Sequence, residues 1–185
     1  MSVVGLLLAA GQGKRMGRPK ALVHARDGSS WLRSSRERLR DAGCDDVLTV
    51  LGAGAEQAVE LLDGGWHLVA ERWADGMGES LREGLAELTD FPYDAALVHL
   101  VDLPDVGVEV MRRIMQGAEP SSLRRAVYDG LPGHPVLIGC EHWRGLGESL
   151  SGDTGAKHYL RRHGAEAVEC GDLATGRDVD TADRL

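Results

Sequence analysis

The sequence predicts an α/β fold of three layers, a mostly parallel sheet with helices on both faces. Two observations carry this. Short apolar runs alternate with helix-length stretches from Val3 to Gln116, the β-α-β-α order in which strands pair in parallel. Two of those runs, Val3 to Ala10 and Ala95 to Val101, are apolar at nearly every position, as in strands covered on both faces. No repeat, low-complexity tract or linker interrupts the 185 residues, so a single domain over 1–185 is expected.

The elements follow in order. Val3 to Ala10 is too short for a helix and is stopped by glycines, so it reads as a buried strand. Trp31 to Ala42 reads as a helix with Gly43 as its stop. Val47 to Leu51 and Ala55 to Leu62 are the next strand and helix. His67 to Ala70 with Met77 to Leu88, and Ala95 to Val101 with Val108 to Gln116, repeat the pair. The rhythm then changes. Arg124 to Tyr128 and His134 to Ile138 read as short strands separated by Asp-Gly-Leu-Pro-Gly. Helices near His142 to Leu146 and at Ala156 to Arg162, a strand at Ala167 to Cys170 and a short terminal helix complete the chain.

Composition narrows the function. Hydrophobic residues at 43% are enough for a packed core and argue against disorder. A net charge of −8 and only 4% aromatic residues argue against a nucleic-acid partner. Cys44, Cys140 and Cys170 are too few and too scattered for a disulfide framework or a zinc site, and fit a reducing compartment. Val3 to Ala10 is too short to span a membrane and lacks the charged leader of a signal peptide, so a cytoplasmic protein is expected.

Against that negative balance, one loop is basic. The first strand breaks into Gly11-Gln-Gly-Lys-Arg-Met-Gly-Arg-Pro-Lys20, where Lys14, Arg15, Arg18 and Lys20 accompany three glycines. Glycines let the backbone turn tightly and bring N–H groups to an anion, and the side chains add full charges there. This is chemistry for a triphosphate. Two familiar phosphate loops do not fit. Arg15 stands where a P-loop needs Ser or Thr after its lysine, and Met16 where the dinucleotide fingerprint needs its third glycine.

The second chemical landmark is Asp102, at the end of an apolar strand in Leu100-Val-Asp-Leu-Pro-Asp105. A carboxylate there is costly unless it is paired or holds a cation. Magnesium takes one or two protein carboxylates and completes its shell with phosphate and water oxygens. Ligands of such sheets sit beyond the carboxyl ends of the strands, where both the loop and Asp102 fall.

The stretch Leu8-Ala-Ala-Gly-Gln-Gly-Lys-Arg-Met-Gly-Arg-Pro-Lys20 resembles the signature of the NTP-transferase superfamily. Gly76-Met-Gly-Glu-Ser-Leu-Arg-Glu-Gly-Leu85 and Asp178-Val-Asp-Thr-Ala-Asp183 resemble further motifs of the family, and Gly133-His-Pro135 and Ser151-Gly-Asp-Thr-Gly-Ala-Lys157 resemble motifs of its molybdopterin-modifying branch. The resemblance implies a Rossmann-like sheet of the nucleotidyltransferase (glycosyltransferase-A-like) type, with a nucleotide-binding half over about 1–105 and an acceptor-binding half over about 106–185. It implies Leu8, Ala9, Ala10, Gly11, Gly13, Arg15, Lys20, Gly78 and Ser80 as nucleotide contacts, and Arg15, Lys20 and Asp102 as the catalytic set. Asp102 is implied as a ligand of Mg2+. Asp180 is expected either to complete that metal site or to cap the short terminal helix. His134 and Lys157 are implied as acceptor contacts. Glu79 and Leu103 stand where relatives carry polar residues, and their roles are open.

The activity so implied is transfer of CMP from CTP to the phosphate of molybdopterin, with release of pyrophosphate and a molybdoenzyme receiving the finished cofactor. Ala10 favours CTP, because this branch tends to read Ala-Ala-Gly with CTP and Ala-Gly-Gly with GTP. A guanylyltransferase, a transferase acting on another phosphorylated acceptor such as a sugar phosphate, a nicotinamide-binding oxidoreductase and a non-catalytic nucleotide sensor are the alternatives.

Overall fold

The computed structural model describes residues 1–150, 152 and 155–179. β1 (Val3–Ala9) lies between β2 (Asp46–Leu51) and β4 (Ala95–Leu100), parallel to both, and all seven of its residues are buried. Alternation along the strand feeds two cores. Val3, Leu7 and Ala9 pack on one face with Leu32 and Leu39 of α1 (Trp31–Ala42) and Met111 and Ile114 of α4 (Val108–Met115). Val4, Leu6 and Leu8 pack on the other with Leu81, Leu85 and Leu88 of α3 (Met77–Leu88) and Trp143 and Leu146 of α5 (Cys140–Ser149). The three layers are those predicted.

The sheet has seven strands in the order β3-β2-β1-β4-β6-β5-β7, with β3 at His67–Val69, β5 at Leu123–Tyr128, β6 at Leu131–Gly139 and β7 at Glu166–Glu169. β6 runs antiparallel to both its neighbours, and β7 returns parallel to β5. α2 (Ala55–Glu60) and α6 (Lys157–Arg162) complete the α-helices among the described residues. α1 begins at Ser30, whose Oγ accepts from the Arg33 N–H, and ends at Gly43 in the left-handed conformation (φ 107°).

Sequence and structure differ most in the second half. The expected five-residue connection between β5 and β6 is a two-residue hairpin turn, Asp129-Gly130, with φ of 51° and 77°. Positive φ at both positions matches the twist of a hairpin. Leu131, Pro132 and Gly133 therefore belong to β6. Pro132 is tolerated because it pairs only with β5, beyond the last β4 pair at Val98 and Val136. α5 is longer than expected at both ends. No helix forms over 171–179, and the rest of the terminal segment lies outside the described residues. Among the described residues no helix is long and apolar enough to cross a membrane.

Candidate active site

The glycine loop leaves β1 at Ala9 and crosses the carboxyl ends of the strands. Ala10 is buried, and its carbonyl accepts from the Ala53 N–H at 3.1 Å. Gly13 has φ of 61°, and a Cβ there would stand 1.9 Å from the Arg18 carbonyl oxygen. The tight turn is closed by Met16 N–H on the Gly13 carbonyl (2.9 Å), while the Met16 side chain anchors the loop in the core. The loop ends in a single 3-10 turn, Lys20–Leu22, whose first side chain reaches back to the sheet. Lys20 Nζ donates to Asp102 Oδ2 as a close ion pair, both side chains being largely buried.

Asp102 is fixed from three directions. The preceding residue is held to β1 by Val101 N–H on the Leu8 carbonyl, and Val179 N–H donates to the Asp102 carbonyl at 3.0 Å. After it, Leu103 is buried in the core, so this departure from the family pattern is filled by packing. Arg38 on α1 then ties the loop down, one Nη donating to the carbonyls of Leu103, Pro104 and Val106 at 3.3, 2.7 and 2.9 Å. Asp105 caps no helix. Its Oδ2 accepts from the N–H and hydroxyl of Thr175 and from the N–H of Gly176, clamping the C-terminal segment beside the Asp102 loop.

The opposite wall is the Trp73–Asp75 3-10 turn and the start of α3. Gly52 permits the approach: a Cβ there would stand 2.6 Å from the Trp73 ring and 2.7 Å from the Ala10 carbonyl oxygen. Between these walls is a cleft of about 680 Å³. Leu8, Ala9, Ala10, Gly11 and Gly13 line it from the loop side, together with Arg15 and Lys20, and Asp102 and Ser80 line its other sides. Gly78 is not among the lining residues. It faces the Gly152 carbonyl oxygen, 2.5 Å from where a Cβ would be. Glu79 is buried and pairs with Arg82 (2.7 Å) and Arg72 (3.3 Å), and Arg82 reaches the carbonyls of Gly147 and Leu150. It fastens α3 to α5.

A second, mostly apolar cavity of about 220 Å³ adjoins the first, sharing Leu8 and Met77. His134 and Lys157 both line it, so two motifs separated by more than twenty positions meet there. The His134–Pro135 peptide is cis, and the His134 carbonyl accepts from the Tyr128 hydroxyl at 2.6 Å. Burial, helped by the Arg125 guanidinium, pushes the His134 imidazole down to about 4, so it is neutral near pH 7. Trp73, Ala74 and Arg125 line these spaces without having been marked in the sequence. Trp73 and Ala74 carry no periodic or motif signal, and Arg125 is one of two arginines in an ordinary strand pattern. Asp180 lies outside the described residues.

Glycine backbone and cations gathered at the carboxyl ends of a parallel sheet, facing one carboxylate, define a phosphate-binding α/β protein. The chain belongs to the MobA-like NTP transferase domain family, whose sequence pattern matches residues 5–168. It is a nucleotidyltransferase of that family. It is 34% identical to the nicotine blue oxidoreductase of Paenarthrobacter nicotinovorans, over 99% of this chain and 94% of that protein. It is 32% identical to a probable molybdenum cofactor guanylyltransferase of Rhodopirellula baltica, over 58% of this chain and 51% of that protein. The crystal structure of Rv0371c from Mycobacterium tuberculosis superposes with a TM-score of 0.81 at 31% identity, covering 99% of this chain and 95% of that one. A structure of Rv0371c in complex with manganese matches with a TM-score of 0.77 at 28% identity, covering 97% and 94%.

Proposed function

We propose that the protein transfers CMP from CTP to the phosphate of molybdopterin in the cytoplasm, with Mg2+ as cofactor, and passes the product to a molybdoenzyme. The observation that carries this reading is the convergence of Arg15, Lys20 and Asp102 on one cleft that adjoins a second, mostly apolar cavity lined also by Arg125 and Lys157. In this reading Leu8 to Gly13 and Ser80 hold the nucleotide, with Gly78 seating the start of α3, and His134 and Lys157 hold the acceptor. An acceptor phosphate oxygen bonds to the α-phosphorus as the bond to the bridging oxygen breaks, and pyrophosphate leaves. The nucleophile is already an anion, so no general base is needed. Alignment and charge neutralisation then supply the rate.

Arg15 and Lys20 balance the negative charge of the triphosphate and of the departing pyrophosphate. Among the described residues no cluster of three or more metal-ligating side chains forms. Magnesium takes one or two protein carboxylates and completes its shell with phosphate and water oxygens. Asp102, already facing the Lys20 ammonium, is such an oxygen donor. Asp180, which lies outside the described residues, would be the second in this reading, as its match to the family's closing motif suggests. When bound, magnesium supplies Lewis-acid charge to the phosphate oxygens.

The 34% identity to nicotine blue oxidoreductase supports a second reading, reduction or oxidation of a small molecule on the same scaffold; a nicotinamide would then be the hydride carrier to test. The buried Met16 in place of the third fingerprint glycine favours the first. Purified protein given CTP, Mg2+ and molybdopterin should release pyrophosphate and leave NADH and NADPH unoxidised. Oxidation of either with an electron acceptor, without pyrophosphate release, would overturn the transferase reading in favour of the second.

A further inference from the structure

Arg125 differs from every other buried or half-buried arginine in this part of the fold. Its neighbour Arg124, on the opposite face of β5, pairs with Glu166 at 2.8 Å and reaches the carbonyls of Ile114, Gln116 and Gly117. Arg38 holds three carbonyls and Arg82 holds Glu79. Arg125 makes one hydrogen bond, Nε to the Gly133 carbonyl at 3.1 Å, and no ion pair among the described residues. The pairing of β5 with β6 shifts register between Arg125 and Val127, an irregularity of the kind that re-aims a side chain. The side chain lines the second cavity, whose walls include Leu8, Val98, Val136 and Leu160 and, among the described residues, no carboxylate.

A half-buried guanidinium among aliphatic walls, with no counter-ion among the described residues, bears a desolvation cost. Burial lowers the basicity of Arg125 accordingly, and Arg125 in turn helps keep His134 uncharged. The cationic charge facing this space therefore comes from Arg125 and Lys157, matched in sign and size to a phosphate monoester. We propose that Arg125 is the anion receptor of the second cavity, its terminal nitrogens forming a two-pronged contact with the phosphate of the acceptor. This rests on the transferase reading for the identity of the acceptor. It assigns the acceptor phosphate, not the triphosphate of the nucleotide, to a side chain outside the recognised motifs.

The test uses Arg125→Met, which keeps the length and removes the desolvated charge, and Arg125→Lys. In pyrophosphate-release assays Arg125→Met should raise the KM for molybdopterin about 10- to 100-fold. Calorimetry with CTP alone should show unchanged affinity, and Arg125→Lys should recover part of the loss. Inorganic phosphate added to CTP-saturated protein should shift the His134 ring resonance, identified by its loss in His134→Gln, and should not do so in Arg125→Met. An unchanged molybdopterin KM together with an unchanged phosphate response in Arg125→Met would overturn the assignment and leave the transferase reading intact. A wild-type protein that releases no pyrophosphate, yet binds phosphate only when Arg125 is present, would uphold the receptor and overturn the transferase.

Discussion

Replacing His99 with leucine should stabilise the protein by about 1–3 kcal/mol at pH 7. His99 is fully buried on β4, opposite Leu7 of β1, and neither ring nitrogen has a hydrogen-bond partner among the described residues. A neutral imidazole carries one donor and one acceptor, and both forfeit water on folding. Leucine is close in volume and has neither, so the desolvation cost disappears without opening a cavity. The acid limb supplies a second signature. Burial, with Arg38 and His134 nearby, holds the His99 imidazole well below its ordinary value, and His134 falls to about 4. For a group depressed in the fold, stability is fully present above the unfolded-state value, about 6.5, and is lost as the pH falls below it. Each such histidine adds a slope of about 1.4 kcal/mol per pH unit in that window. Urea unfolding of both proteins at pH 7.5, 6 and 5 should give a shallower acid limb for His99→Leu, with one histidine removed. A variant less stable at pH 7 would show that the imidazole is hydrogen-bonded in solution, and an acid limb as steep as wild type would show that it is not kept neutral. Either result refutes the reasoning.

Three further outcomes bear on the cleft. Asp102→Asn should retain the fold but lose several orders of magnitude in pyrophosphate release, and near-normal turnover with unaltered metal dependence would remove Asp102 from the metal site. Ala10→Gly should erode the proposed preference for CTP over GTP, by about 10- to 200-fold at most, because one methyl carries no more discrimination than that; catalytic efficiencies with the two nucleotides measure it, and a parent protein that prefers GTP would overturn the proposal. Gly52→Ala should weaken CTP binding in calorimetry, since its Cβ meets Trp73 and the Ala10 carbonyl at under 3 Å and one of the cleft walls must move. Wild-type affinity in that variant would mean the two walls adapt independently of the nucleotide.

The first strand, its glycine loop and the central strand β4 were legible because their determinants are local. The apolar runs of β1 and β4 carry their burial in their own composition, and Gly13 is demanded by a turn that closes within five residues. Other features depend on contacts between distant segments. Pro132 looks like a breaker until the end of β4 shows that one side of β6 has no partner there. Glu79 reads as a departure from pattern until Arg72 and Arg82 are seen to neutralise it. Trp73 becomes part of the cleft only because Gly52, twenty-one positions earlier, leaves room for its ring. Arg125 has no signal at all in one dimension, where it is indistinguishable from Arg124.

The single reversed strand has an evolutionary consequence. Because β6 runs against β4, its amino-terminal end, with His134, arrives at the same rim as the carboxyl ends of β1 and β4. The outer part of the β5–β6 hairpin overhangs that rim and pairs with nothing on its β4 side. Mutations there can reshape what sits beside the nucleotide while leaving the seams between β1, β2 and β4 untouched. Such a hairpin is an interchangeable part, open to drift or to directed evolution at small risk to folding. A scaffold with that freedom can diversify its chemistry one loop at a time.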